Sequence, residues 1–133
     1  MAKILVVEDE ASLRKAIVDI LKINGYEVVG AGDGESGLSL TRSEMPDLIL
    51  LDIILPKMNG FDVLKELKAD ATTASIPVIV LTNLEGTMDV EQALTLGATT
   101  YLVKTNYELE DIVKRVNDTL AKSKPTSVLR SKI

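Results

Sequence analysis

Apolar residues along this chain of 133 residues fall into two kinds of pattern that alternate. Ile4-Leu5-Val6-Val7, Leu48-Ile49-Leu50-Leu51 and Val78-Ile79-Val80-Leu81 are short unbroken runs. Such runs predict strands buried on both faces of a parallel sheet. Tyr26-Glu27-Val28-Val29 and Tyr101-Leu102-Val103 are weaker members of the set. Between the runs, the apolar positions take helical spacing. Leu13, Ile17, Ile20 and Leu21 form a stripe in residues 11–23, with Gly25 behind it as a stop signal. Residues 35–44, 60–69, 87–96 and 107–121 predict four more helices. Val63, Leu64 and Leu67 share a face of the third helix, and Ile112, Val113, Val116 and Leu120 a face of the last. Thr105-x-x-Glu108 matches a capping box at the start of that last helix.

Strand starts near 3, 26, 47, 77 and 100 make five β-α units. Strict alternation of this kind predicts an open α/β sheet with right-handed crossovers. A closed eight-fold barrel would need roughly twice the length. Residues 122–133 carry no helical stripe and contain Pro125. The expected organisation is one domain over 1–121, followed by a tail or linker stub over 122–133.

Composition removes whole classes of chemistry. The chain has no Cys and no His, which excludes thiolate nucleophiles, zinc–thiolate sites, imidazole catalysis and histidine-ligated metals. Only Tyr26, Phe61, Tyr101 and Tyr107 are aromatic, too few for a base-stacking platform. Residues 1–121 hold 11 Lys+Arg against 20 Asp+Glu, whereas 122–133 hold four bases and no acids. An acidic body argues against nucleic acid as a direct ligand. Met1-Ala2-Lys3 runs straight into an apolar strand, and no apolar run approaches the ~18 residues of a membrane span. A cytoplasmic protein without a membrane partner is expected.

In an open parallel sheet, ligands bind beyond the carboxyl ends of the strands. Glu8, Asp9 and Glu10 follow the first run, Asp52 the third, Thr82 the fourth and Lys104 the fifth. Singly, each has a bland explanation: Asp9 as a helix cap, Thr82 as a strand end, Lys104 as a solvated charge. Asp52 is harder to dismiss, because Ile53-Ile54-Leu55 follows it and an apolar run precedes it. Carboxylates gathered at one rim repel unless one is protonated or a cation binds. With no soft ligand available, the fitting cation is Mg2+, which takes one or two carboxylates with waters and phosphate oxygens. Lys104 and Thr82 suit a phosphoryl group. Together they point to metal-assisted phosphoryl transfer onto a carboxylate.

This set of positions resembles the receiver domain of bacterial response regulators. Asp52-x-x-Leu55-Pro56-x-Met58-x-Gly60, Ala31-Gly32-Asp33-Gly34-Glu35 and Gly97-Ala98 add to the likeness, which covers about residues 2–121. The resemblance implies the flavodoxin-like strand order 2-1-3-4-5 and a phosphorylation-dependent signalling switch rather than an enzyme with turnover. It implies that Asp52 accepts a phosphoryl group from a sensor histidine kinase, a phosphotransfer protein or a small phosphodonor. Mg2+ would be held by Asp9, Asp52 and the backbone carbonyl of Ile54, with Glu8 reaching it through water. Thr82 and Lys104 would then close on the phosphoryl oxygens. Tyr101 would turn inward and reshape the face around the fourth helix and fifth strand. That face would engage a downstream protein target or output domain, or a second copy in a phosphorylation-dependent dimer.

Three departures from the family pattern stand out. Thr105 follows Lys104 where the family usually has Pro after a cis bond, and a cis bond before a non-proline residue costs about 2.5–4 kcal/mol. Position 8 is Glu where Asp is commoner. Ile54 and Leu84 are apolar at the two places where related receivers use polar residues to orient the attacking water, which predicts slow autodephosphorylation.

Rival assignments rest on less. Gly32-Asp33-Gly34-Glu35-Ser36-Gly37 matches the dinucleotide fingerprint, with Asp52 twenty residues beyond Gly32. That fingerprint belongs after the central first strand, where Glu8-Asp9-Glu10 would repel a pyrophosphate. A haloacid-dehalogenase-type phosphatase needs a second Asp two residues after the nucleophile, and Ile54 stands there. A flavin module needs a hydroxyl-rich loop after the first strand and aromatics to stack the ring.

Overall fold

The computed structural model describes residues 2–53, 55–82, 87–103 and 108–123, without the side chains of Thr82, residues 87–90, Val103 and Ser123. Five strands, β1 (Lys3–Val7), β2 (Glu27–Ala31), β3 (Leu48–Asp52), β4 (Val78–Thr82) and β5 (Thr100–Val103), form one parallel sheet. Its order is β2-β1-β3-β4-β5. The helices between and after them are α1 (Ala11–Ile23), α2 (Gly34–Glu44), α3 (Gly60–Ala69), α4 (Thr87–Thr95) and α5 (Leu109–Ser123).

Side-chain parity divides the core. Ile4, Val6, Leu48, Leu50, Ile79 and Leu81 point to one face and pack with Ile17 and Leu21 of α1 and Ile112, Val116 and Leu120 of α5. Leu5, Val7, Ile49, Leu51, Val78 and Val80 point to the other, against Leu38 of α2, Val63, Leu64 and Leu67 of α3 and Ala93 of α4. The three unbroken runs are the three central strands, which explains why they carry no polar alternation. The two weak runs are the edge strands β2 and β5, each paired on one side only among the described residues. Each fully buried aliphatic side chain contributes about 1.5–3 kcal/mol. An exposed pair such as Lys15–Asp19 contributes at most about 1 kcal/mol. The two apolar layers therefore hold the fold.

Local chemistry explains the helix starts. Asp33 caps α2 by accepting from the Ser36 N–H at 2.7 Å, and Asn59 caps α3 by accepting from Asp62 N–H at 3.0 Å. The last helix begins later than its capping-box pattern predicts. α5 starts at Leu109, and Asp111 accepts from the Glu108 N–H at 2.7 Å, so Glu108 precedes the helix instead of occupying its third position. α5 also continues through Ser123, past the expected boundary at 121. Among the described residues, no helix is long and apolar enough to cross a membrane.

Candidate functional site

The strand order places β1 and β3 side by side at the centre, with Val7 beside Leu51. The chain runs from β1 outward to β2 and then back to β3, so the carboxyl ends of β1 and β3 flank the topological switch point. Asp52 ends β3 and Glu8 follows β1 directly. By the alternation of a strand, both belong with Ile4, Val6, Leu48 and Leu50 on the α1/α5 face. Glu8 is fully buried and Asp52 is 3% exposed, while Asp9 is exposed. One carboxylate oxygen of each lies within 4.8 Å of the other two. Like charges at this range repel one another. A cation bound among such carboxylates is favoured by all of them. Two buried carboxylates and one open to solvent, all hard oxygen donors, fit the demands of Mg2+.

The acidic turn is tied to its surroundings. Glu8 donates its N–H to the Ala31 carbonyl at 3.0 Å, and its Oε2 accepts from the Glu10 N–H at 3.0 Å. Arg14 of α1 donates Nη1 to the Glu8 carbonyl at 2.8 Å. Neither the apolar pattern nor the family resemblance singles out Arg14; its signal in sequence is the pair Gly30 and Gly32, over which it lies. α1 has Glu10 as its N-cap residue and no side-chain capping bond. The bland role for Asp9, capping this helix, is therefore not the one it fills.

The loop after β3 is packed against the acid it follows. Gly60 donates to the Ile53 carbonyl at 2.7 Å, and a Cβ on Gly60 would stand 2.3 Å from the Asp52 carbonyl oxygen. Only glycine lets α3 start this close to the strand end. Lys57 adopts a left-handed backbone, with φ of 68°. The same loop meets the start of α2, where the Gly34 N–H donates to Pro56 O at 3.4 Å. A Cβ on Gly34 would lie 1.9 Å from the Met58 carbonyl oxygen. This contact answers the dinucleotide fingerprint: the space its second glycine should offer a pyrophosphate is filled by the protein's own chain. The Ser36 N–H is likewise taken by the Asp33 carboxylate, and that bond is the main reason the Asp33 pKa is lowered from 3.8.

Of the remaining expected site residues, Thr82 ends β4, the strand that pairs with β3 through Asp52 and Leu81. Tyr101 lies on the edge strand β5 and is 37% exposed. Its carbonyl accepts from Arg115 Nη1 at 3.3 Å. Ile54, Leu84, Lys104, Thr105 and Tyr107 lie outside the described residues. Glu8, Asp9 and Asp52 are thus brought together, with the β4 terminus on the same rim.

Comparison with known proteins agrees with this geometry. A family model described as the response regulator receiver domain matches residues 4–117. Protein PilH of Pseudomonas aeruginosa is 37% identical over 121 residues, covering 91% of this chain and 99% of PilH. The probable transcriptional regulator ycf27 of Guillardia theta is 45% identical over 102 residues, which are 77% of this chain and 39% of that protein. The DNA-binding response regulator MtrA of Mycobacterium leprae is 38% identical over 121 residues, 91% of this chain and 52% of MtrA. The chain spans about two fifths of ycf27 and about half of MtrA. Among solved structures, the receiver domain of the Francisella response regulator 1452 superposes with a TM-score of 0.85 at 28% identity, covering 92% of this chain and 99% of that one. The chemotaxis protein CheY4 of Vibrio cholerae gives 0.83 at 30% identity, over 89% and 98%.

Proposed function

The chain belongs to the response-regulator receiver family, and on that premise we propose that Asp52 is its phosphoacceptor. Receivers are signalling regulators whose state depends on phosphorylation. The observation that carries the assignment here is the meeting of Glu8, Asp9 and Asp52 within 4.8 Å at the switch point. Asp52 attacks the phosphorus of the donor. An Oδ–P bond forms as the N–P bond of a phosphohistidine, or the O–P bond of an acyl phosphate, breaks. The leaving imidazole takes up a proton; an acyl phosphate leaves as a carboxylate.

Asp9, Asp52 and the Ile54 carbonyl would hold Mg2+, with Glu8 reaching it through water. When bound, the ion neutralises charge on the phosphoryl oxygens. Thr82 donates its hydroxyl, and Lys104 its ammonium, to those oxygens. Tyr101 then moves from its exposed position toward the interior, and the α4–β5 face changes its partner. A histidine kinase or phosphotransfer protein supplies the phosphoryl group in a cytoplasmic setting. A downstream protein, an output domain or a second phosphorylated copy reads the result. The receiver, expected to end at 121, takes in the last residues of α5 through Ser123, and the basic residues beyond it stand outside its chemistry.

Ile54 and Leu84 offer no polar side chain at the two places where related receivers use one to orient the hydrolytic water, which makes the phosphorylated state long-lived. Incubation with acetyl phosphate and Mg2+, followed by intact-mass measurement, tests the assignment. The parent gains one phosphoryl group and Asp52→Ala gains none; equal labelling of both, or of neither, refutes it. Decay of the label as fast as in rapidly cycling chemotaxis receivers would refute the slow hydrolysis alone.

A further inference from the structure

Arg14 is the side chain on which β2, α1 and the acidic rim meet. Half-buried near the start of α1, it lies across the end of β2. A Cβ on Gly30 would stand 3.3 Å from Arg14 Cδ, and one on Gly32 would stand 3.2 Å from Nη1. Both distances are tighter than ordinary contact, so a Cβ at either glycine would make the arginine give by a few tenths of an ångström, and a branched side chain would ask for more. The fork reaches the Glu8 carbonyl at 2.8 Å. The main chain of Glu8 is therefore gripped twice, by Arg14 at its carbonyl and by Ala31 O at its N–H. Arginine presents several donors in a planar fork. Here Nη1 is given to the main chain.

We propose that Arg14 is a positioning residue for divalent-cation binding: it holds the turn carrying Glu8 and Asp9 so that their carboxylates meet Asp52 already in place. The role rests on taking Glu8, Asp9 and Asp52 as the cation-binding group. Charge and position act with opposite signs, which makes them separable. A guanidinium near the site repels a cation, so losing its charge alone would tighten binding. Losing its grip on the Glu8 carbonyl loosens a ligand-bearing turn, and outer contacts of this kind are worth roughly ten- to a hundredfold in metal affinity.

The test uses the full chain with Mn2+ as the probe, free ion being read by electron paramagnetic resonance and folding by the melting transition. Arg14→Met keeps the apolar stem but removes the charge and the donor. Arg14→Lys keeps the charge and one donor. Gly32→Val keeps Arg14 and fills the place of its fork, at a position whose φ is not in the left-handed region. Positioning predicts that Arg14→Met and Gly32→Val each weaken Mn2+ binding about tenfold, the low end of that range. Arg14→Lys recovers most of the loss. Binding by Arg14→Met at least as tight as by the parent overturns the role, as does unchanged binding by Gly32→Val. Should Arg14→Met not fold, Gly32→Val decides. Absence of saturable Mn2+ binding by the parent overturns the cation site itself and this role with it, a result distinct from a variant that keeps the parent's affinity.

Discussion

Alanine at position 60 puts two rules in opposition. Gly60 is the first residue of α3, and replacing glycine by alanine in a helix normally gains up to about 1 kcal/mol. Here the added Cβ would stand 2.3 Å from the Asp52 carbonyl oxygen, 2.6 Å from the Ile53 Cα and 3.0 Å from the Asp52 carbonyl carbon. Ordinary van der Waals contact begins at 3.4 Å, so the first of these is more than an ångström too close. All three obstacles are backbone, and no rotamer change relieves them. α3 must move away from β3, stretching the 2.7 Å bond from Gly60 N–H to the Ile53 carbonyl. Overpacking of this kind costs typically 1–3 kcal/mol, and the strained hydrogen bond adds up to about 1 kcal/mol. The clash outweighs the propensity gain, and Gly60→Ala is expected to lose roughly 1–3 kcal/mol net.

Urea unfolding monitored by circular dichroism reads that loss as a lower midpoint at unchanged slope. Each kcal/mol corresponds to about 3–5 °C in melting temperature at this chain length. The backbone that α3 presses on is that of Asp52 itself, so phosphorylation by acetyl phosphate should also slow, even at temperatures where the variant is fully folded. A variant as stable as the parent, or more stable, would show that α3 does not press on the end of β3 as described.

Three further outcomes follow from the same structure. Lys57 holds a left-handed backbone that costs a non-glycine residue about 1–2 kcal/mol, so Lys57→Gly should stabilise the protein by about 0.5–1 kcal/mol after the extra chain entropy is counted; a lower urea midpoint would contradict this. The Asp33 and Asp70 carboxyls are lowered from 3.8, each chiefly by a backbone N–H bond, from Ser36 and Thr72 respectively. Their unfolded forms bind protons first, so their contribution to stability is complete above the unfolded value and is lost as pH falls from 3.8 through the lowered folded values. Asp33→Asn, which can still cap α2, should flatten that acid limb in pH-dependent unfolding. Asp9→Asn removes one of three mutually close charges, so it should melt higher than the parent in EDTA. The parent should gain about 2.7 kcal/mol from Mg2+ at a hundred times its dissociation constant, and the variant less.

The sequence by itself determined the kind and number of elements. Ile4–Val7, Leu48–Leu51 and Val78–Leu81 could be read as buried strands because a central strand of a parallel sheet has no solvent face to carry polar residues. It also named Glu8, Asp9, Asp52, Thr82 and Lys104 as candidates, since charged or hydroxyl residues directly after such runs have few other places to be. The tertiary structure decided which of these meet. Glu8 and Asp52 come together because β1 and β3 are neighbours and the two residues share a side-chain parity, and neither fact is a property of a local stretch of chain. The dinucleotide fingerprint at Gly32–Gly37 shows the reverse case. It is local and matches in sequence, but the Met58 carbonyl, distant along the chain, fills the space the motif would need. The last helix starts at Leu109, where Asp111 accepts from the Glu108 N–H and so caps it one turn later than the capping-box pattern placed it. The apolar pattern could not pick out Arg14, because what it lies against, the Glu8 carbonyl, Gly30 of β2 and Gly32 just beyond it, is set by the fold. Periodicity records what a residue buries; it does not record which distant residue it is buried against.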